Sequence, residues 1–300
     1  MIQIKIGIGV SSVGRFLPVV GKEAGLFEKQ GISVDIVNQQ DEDKVVVDIG
    51  TGKTPIGTPN APSLLFSLLK GNDLVIVGGV LNRPGFYLTA KQTIHGVADL
   101  KGKIIGINQP RRMAGVVMLA LLRQWGLDPK KDLTLIELGV NDKSLEALQQ
   151  GKIDAALLPP EKAFLAEEEG FNLLANSLNL NCQWVPLATT RRFLLSNRDL
   201  VRKIANIYIE SIRHFKSEPE MTLRVIRRCL PGLAEKPQVL EKIYRFFAGQ
   251  FEPTLMPSMN SLSAILDEVA HQDSKFAEIQ TASLVENLFL TTPTHTMDLG

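Results

Sequence analysis

The chain has 300 residues, of which 44% are hydrophobic and 22% are charged, as in ordinary globular proteins. Its 33 basic and 32 acidic residues leave a formal net charge of +1, so we expect no nucleic-acid partner and no polybasic membrane surface. The longest apolar run, Val116 to Leu122, is much shorter than the roughly 20 residues that span a bilayer. Two cysteines cannot supply a disulfide-rich scaffold or a four-thiolate zinc site.

The first 180 residues alternate short β-branched runs with longer helical patterns. In the first half of this stretch, strands are predicted at Ile4–Val10, Ser33–Val37 and Leu74–Val80, and helices at Phe16–Ala24 and Ala61–Lys70. Alternation of this kind predicts parallel α/β units joined by right-handed crossovers.

The same pattern then restarts. Strands are predicted at 102–107, Leu133–Leu138 and Ile153–Leu158, with helices at Ala114–Trp125 and Lys143–Gln150. Both halves share the signal that ends a helix, because a glycine followed by leucine ends the first predicted helix of each half. Any two α/β halves look somewhat alike, but the shared spacing favours two similar lobes in one chain.

From Asp199 onward the apolar residues recur at three- and four-residue spacing, which predicts helices. We expect the polar tail at 291–300 to be disordered. The predicted helices are Leu200–Lys216, Glu220–Cys229, Pro237–Phe247 and Met259–Ala270.

Two glycine-containing segments resemble nucleotide-binding motifs, but neither matches its motif completely. Gly7-Ile-Gly9 follows a strand, but the dinucleotide fingerprint needs a glycine where Ser12 stands. Gly52-Lys53-Thr54 lacks the first glycine of a phosphate-binding loop, and Pro55 blocks the helix that must follow it. The four histidines show no metal-ligand spacing. We therefore expect no cofactor, no metal and no catalytic residues.

In open parallel sheets, ligands bind at the carboxyl ends of the strands, where loops and helix N-termini meet. The segments at these positions contain small polar residues, four arginines including Arg15, and one acid. Each position taken alone is also explained as a turn residue, but together they favour a cleft for a small anion. We favour Arg112, at the start of a helix, as the anion ligand. The candidate ligand-binding residues are Ser11, Ser12, Gly14, Thr58, Asn60, Arg83, Arg111, Arg112, Ala114 and Glu161.

Three stretches resemble one known family. These are Pro18–Ile32, Ile94–Gly106 with its Asp-Leu-Lys-Gly-Lys segment, and Ala147–Ala156 with its Gly-Lys-Ile-Asp-Ala segment. They resemble the substrate-binding proteins of nitrate-, sulfonate- and taurine-type ABC transporters (SsuA/THI5-like, NMT1-like), which share a fold with thiamine-pyrimidine synthases. In order and spacing, the resemblance covers roughly residues 1–215.

The resemblance implies an α/β, two-lobed fold of the periplasmic binding protein type 2 class. Each lobe would be a mostly parallel sheet flanked by helices, with the helical C-terminal region on lobe one. Lobe one would comprise 1–88 and 189–300, and lobe two 89–188. The chain would cross between them near Leu88–Lys91 and return near Val185–Ala188.

As a function, the resemblance implies capture of a small organic anion (a sulfonate, carboxylate or related compound) for delivery to an ABC permease, by a monomeric periplasmic protein. No export signal precedes Met1, so the protein is cytoplasmic if Met1 is the native start. The alternatives are a cytoplasmic lyase, decarboxylase or pyrimidine-synthase-like enzyme on the same fold, and an intracellular ligand sensor. The cysteine run of the pyrimidine synthases is absent, and His95 with Glu161 is the nearest acid–base candidate. Whether Cys182 and Cys229 pair is left open.

Overall fold

The computed structural model describes residues 1–10, 12–139, 141–286 and 288, so the tail at 291–300 and Ser11 lie outside the described residues. The strands are β1 (Ile2–Ile8), β2 (Ile32–Asn38), β3 (Ile56–Thr58), β4 (Leu74–Leu81), β5 (Tyr87–Ala90), β6 (Ile104–Asn108), β7 (Thr134–Gly139), β8 (Ala155–Leu158), β9 (Asn172–Asn176) and β10 (Val185–Thr190). The helices are α1 (Leu17–Glu23), α2 (Leu26–Lys29), α3 (Glu42–Gly50), α4 (Ala61–Leu68), α5 (Met113–Gln124), α6 (Asn141–Gln149), α7 (Pro160–Glu168), α8 (Arg191–Ser196), α9 (Arg198–Ser217), α10 (Pro219–Cys229), α11 (Pro237–Gln250) and α12 (Met259–Ala270).

The strands form two five-stranded sheets, in the orders β2-β1-β3-β10-β4 and β7-β6-β8-β5-β9. We call the first sheet with α1–α4 lobe one, and the second sheet with α5–α7 lobe two. Each sheet combines parallel and antiparallel pairings. The antiparallel pairings all involve β5 or β10, the strands that the chain forms just after it changes sheets. The predicted α/β fold with two lobes is therefore present, with mixed rather than mostly parallel sheets.

The chain passes from the first sheet to the second between Leu81 and Tyr87, and returns between Asn176 and Val185. Both crossings lie a few residues before the positions expected from the sequence. They are tied to each other, because the Ser177 hydroxyl donates to the Pro84 carbonyl at 2.8 Å and accepts from the Phe86 amide at 2.9 Å.

The strand that ends at the first crossing is fully buried. All eight residues of β4 are buried, as its continuous apolar sequence predicts. Its free edge is partly covered by the C-terminal segment, where Val285 bridges to Ile76. Helix α3 lies between β2 and β3 in the chain, where no helix was predicted from the sequence.

The C-terminal helices contact both lobes. α9 presents buried residues at helical spacing (Val201, Ile204, Tyr208 and Phe215 among them) to α1 and α2 of lobe one. α11 packs against α7 of lobe two as well, and ion pairs from Lys236 and Lys242 to glutamates of α7 reinforce that contact. Within the described residues, no helix is both long and apolar enough to cross a bilayer.

Candidate functional site

A cavity of about 550 Å³ lies between the two lobes, a size within the roughly 300–1,000 Å³ of small-molecule sites. Its lobe-one wall includes Ser12 and Asn60, and its lobe-two wall includes the start of α5 and the first turn of α7. The loop Leu230–Leu233, between α10 and α11, forms a third side. Helix starts at the carboxyl ends of strands therefore converge on this space, as they do in open α/β sheets generally.

A buried ion pair forms the lobe-one side of the cavity. The Arg15 guanidinium lies 2.7 Å from Glu42 Oε1, and both side chains are 2% exposed. Arg15 also donates to Asn60 Oδ1 at 2.5 Å, while the amides of Val10 and Asn60 donate to the two Glu42 oxygens at 3.2 and 2.9 Å. Such additional donors are what a buried carboxylate needs to offset its desolvation. The pair therefore holds the loop after β1, the start of α3 and the start of α4 in one arrangement.

The carboxyl group of Glu161 joins the two lobes. Glu161 is the second residue of α7 in lobe two, yet its Oε1 accepts from the Ser12 hydroxyl at 2.9 Å and from the Val13 amide at 2.7 Å, both in lobe one. Burial raises the pKa of Glu161, against the opposing effects of these donors and of the nearby Arg15 charge. This contact therefore spans the cleft between the two lobes.

The N-terminus of α5 faces the cavity from lobe two. Arg112 is its N-cap residue, no side chain among the described residues caps the helix, and Met113 and Ala114 line the cavity. Helix N-termini attract anions through their free amides and the helix dipole. The Arg112 guanidinium reaches across the cleft to Asp41 at 3.2 Å and Asp43 at 3.5 Å.

Apolar and aromatic side chains cover the rest of the cavity wall. Phe86 and Trp184 come from the two crossings, with ring centroids 5.0 Å apart. Leu165 of α7 and Leu230 and Leu233 of the C-terminal loop complete this side. The cavity thus has a polar half and an apolar half, which suits a small amphipathic molecule.

The structure brings half of the candidate residues together. Ser12, Asn60, Arg112, Ala114 and Glu161 all line the cavity. Ser11 is outside the described residues, so its position is not stated.

The remaining candidates are not among the residues that line it. Thr58 is buried at the end of β3, and Gly14 packs so tightly that a Cβ there would lie 2.7 Å from Leu81. Arg83 is exposed to solvent, and the Arg111 guanidinium lies 5.1 Å from the centre of the Phe66 ring. The strand-end rule identified the edge of each sheet at which this cavity lies, but it could not say which side chains turn toward the cavity.

Several cavity residues escaped the sequence analysis. Glu42 stands in an acidic run that is typical of a solvated surface, and Trp184 and the Leu230–Leu233 loop come from distant parts of the chain. The proposed acid–base pair is not formed, because His95 is exposed, its amide binds Asp99, and it does not line the cavity. Cys182 and Cys229 are free thiols, which answers the question of their pairing.

A sequence model of the family described as NMT1/THI5-like matches residues 17–222. The chain belongs to the NMT1/THI5-like family. The resemblance found in the sequence is thereby confirmed.

Two curated relatives of this NMT1/THI5-like protein have names that describe different kinds of protein. It is 28% identical over 144 residues (47% of this chain, 40% of the relative) to the 4-amino-5-hydroxymethyl-2-methylpyrimidine phosphate synthase of Schizosaccharomyces pombe. It is 24% identical over 213 residues (65% of this chain, 60% of the relative) to an ABC transporter periplasmic binding protein of Brachyspira hyodysenteriae. The chain thus spans between 40% and 60% of the length of these relatives.

Solved structures match nearly the whole NMT1/THI5-like chain. The periplasmic aliphatic sulphonate binding protein SsuA of Escherichia coli superposes with a TM-score of 0.79 at 18% identity, over 98% of this chain and 97% of that one. The alkanesulfonate-binding protein SsuA of Xanthomonas axonopodis, bound to MOPS, gives 0.73 at 21% identity, over 95% of each chain. At these identities the likeness establishes the fold, which is that of the periplasmic binding proteins.

Proposed function

We propose that this protein is a solute-binding protein that closes around a small organic anion and delivers it to an ABC importer. The observation that carries the proposal is the cavity between the lobes, which is lined by Arg112 and by the N-terminus of α5, a helix start that no described side chain caps. The anionic group would bind the first amides of α5 and the Arg112 guanidinium. The apolar body of the ligand would pack on Phe86, Trp184 and Leu165.

Lobe movement would couple binding to delivery. We propose that the two lobes rotate about the crossings at 82–86 and 177–184, which moves the expected lobe boundaries of 88/89 and 188/189 to these crossings. In the arrangement described above, Glu161 and Arg112 both bridge the cleft, which corresponds to a closed state. A monomer in the periplasm, meeting the permease with both lobes, would fit this role. The periplasmic binding protein among its relatives supports that location.

An enzyme on the same fold is the second candidate. Part of the chain resembles a pyrimidine phosphate synthase, and Glu161 is a buried carboxyl group whose raised pKa suits a general acid. Conversion of a bound compound, followed by mass spectrometry, would distinguish this candidate from a binding protein that returns its ligand unchanged.

Binding can be tested by thermal shift and calorimetry with nitrate, sulfonates, carboxylates and pyrimidines, because a ligand stabilises the folded state by RT ln(1 + [L]/Kd). Arg112→Ala should weaken the binding of an anion about ten- to a hundredfold, the effect of losing one charge-assisted hydrogen bond. Arg111→Ala is the matched control, since Arg111 is the neighbouring arginine and lies over Phe66. Equal affinities of wild type and Arg112→Ala would refute the anion site at α5.

A further inference from the structure

Two carboxylates lie beside the arginine that the proposed function gives to the anionic group of the ligand. Arg112 Nη2 lies 3.2 Å from Asp41 Oδ1 and 3.5 Å from Asp43 Oδ2, so one guanidinium nitrogen faces both acids. The Arg112 side chain is 23% exposed and lines the cavity, and the side chains of the two aspartates are 50% and 68% exposed. An anion on this guanidinium is therefore within several ångströms of two negative charges.

Contacts within lobe one hold both aspartates in place. As the N-cap residue of α3, Asp41 accepts from the Asp43 amide at 3.0 Å through Oδ1. Asp43 Oδ1 accepts from the Ser63 hydroxyl at 2.9 Å. Neither contact involves Arg112, so the two carboxylates stay at the start of α3 when an anion replaces them as the partner of Arg112. The negative charge beside the anion site is therefore fixed by the fold of lobe one.

The charges around the cavity nearly cancel. Among the described residues, the cationic side chains that line it are Arg15, Arg112 and Lys162, and the carboxyl groups that line it are Glu42 and Glu161. Arg15 is neutralised by Glu42 at 2.7 Å, and Arg112 faces two negative charges with one positive charge. The N-terminus of α5 adds the partial charge of a helix dipole, about half an elementary charge. The site can therefore hold one negative charge through hydrogen bonds, but little positive charge remains for a second.

We infer that the cavity selects a ligand whose anionic group carries a single negative charge, and that Asp41 and Asp43 are the residues that disfavour a dianion. This inference rests on the proposed function and narrows its ligands to singly charged acids, as against phosphate monoesters, which carry a charge of about −1.5 to −2 at pH 7. A second charge makes the group more costly to take out of water. It also lies against like charges, a juxtaposition that suppresses the binding of wrong partners.

Phenyl sulfate and phenyl phosphate are the probes, because they share the ring, the ester oxygen and a tetrahedral anion. The sulfate ester is a monoanion throughout, whereas a phosphate monoester loses its second proton with a pKa of about 6. Calorimetry at pH 8 should show phenyl sulfate binding to the wild-type protein about tenfold or more tightly than phenyl phosphate, because the like charges are screened only in part by water. At pH 5 both probes are mainly monoanions, so their affinities should agree within about threefold. Phenyl sulfate keeps its charge, so its own affinity at the two pH values reports any titration of Glu161 or of the aspartates.

The double variant Asp41→Asn with Asp43→Asn removes both charges and keeps their hydrogen bonds. Asparagine is a good N-cap residue, and its amide oxygen can still accept from the Ser63 hydroxyl. The preference for phenyl sulfate at pH 8 should shrink toward equal affinities, because the dianion gains more than the monoanion does. Asp73→Asn is the matched control and should keep the wild-type preference, since Asp73 is 57% exposed, pairs with Arg191 and does not line the cavity. Melting temperatures of all variants verify folding.

The outcomes separate the inference from the proposed function. Equal wild-type affinities at pH 8, or tighter binding of phenyl phosphate, overturn the inference and leave the anion-binding function standing. A preference for phenyl sulfate that is equally strong at pH 5 reflects the ester and not its charge, so it also overturns the inference. A preference that persists fully in the double variant overturns the assignment to Asp41 and Asp43. No binding of either probe at millimolar concentration, together with no response to the anions tested above, counts against the proposed function and the inference together.

Discussion

Removal of the Arg15 guanidinium should destabilise the protein more than any exposed arginine does. Arg15→Met keeps most of the aliphatic volume but leaves the Glu42 carboxylate 2% exposed and without its cation. It also removes the donor that binds the Asn60 side chain. A buried ion pair that loses one partner leaves an uncompensated charge in a poorly solvating environment.

The expected loss follows from these contacts. Breaking a buried pair costs about 3–5 kcal/mol, and the amides of Val10 and Asn60 that still donate to Glu42 favour the lower end of that range. With a urea m-value of about 3 kcal/mol/M for a protein of this size, a loss of about 3 kcal/mol shifts the unfolding midpoint by about 1 M.

Urea unfolding, followed by circular dichroism and by tryptophan fluorescence, measures this shift. Arg83→Met is the control, since Arg83 is exposed, and it should change the free energy of unfolding by less than about 0.5 kcal/mol. The double variant Arg15→Met with Glu42→Gln removes both charges, so it should be more stable than the sum of the two single changes predicts. If the free energy of unfolding of Arg15→Met lies within about 1 kcal/mol of the wild-type value, the Arg15–Glu42 pair does not stabilise the fold as argued.

Two further predictions concern the same cavity. Gly9→Ala should displace the Glu42 carboxylate, because a Cβ at Gly9 would clash with Glu42 Oε1, and it should lower both the unfolding midpoint and the anion affinity. Gly50→Ala is the control: its Cβ would have 3.6 Å of clearance at a helical position, so it should lower neither quantity. Burial raises the pKa of Glu161, so the free energy of unfolding of wild type relative to Glu161→Gln should be highest below the pKa of an unfolded glutamate and should fall as the pH rises through the raised value. Urea titrations of both proteins at a series of pH values measure that difference, and an increase with pH would contradict it.

The fold was predictable because its signals are local and repeated. The apolar run of β4 and the glycine that ends α1 can each be identified without tertiary information. Helix α3 was missed although its local signals are present: Asp41 caps it by accepting from the Asp43 amide, and acidic residues fill its first turn.

The site was predictable only in part, because side-chain direction depends on tertiary contacts. Arg111 and Arg112 are adjacent in sequence, yet one lies over Phe66 and the other reaches across the cleft. Trp184 enters through the return crossing, a segment that no strand-end rule includes. Glu161 was identified by its place after β8, but its hydrogen bonds to lobe one required the packed structure.

The two arginines of the cavity differ in what they can give to a ligand. Arg15 is buried with its carboxylate inside lobe one, so breaking that pair would be costly and its guanidinium stays in place. Arg112 pairs with aspartates whose side chains are 50% and 68% exposed, and such pairs contribute little because water screens them. An anion at the start of α5 can therefore replace the two aspartates as the partner of Arg112 at small cost. The binding free energy is then the difference between the contacts that Arg112 makes with the anion and those that it loses with the aspartates. Arg15 is therefore a fixed part of the polar side of the cavity, whereas Arg112 can exchange its aspartate partners for a bound anion.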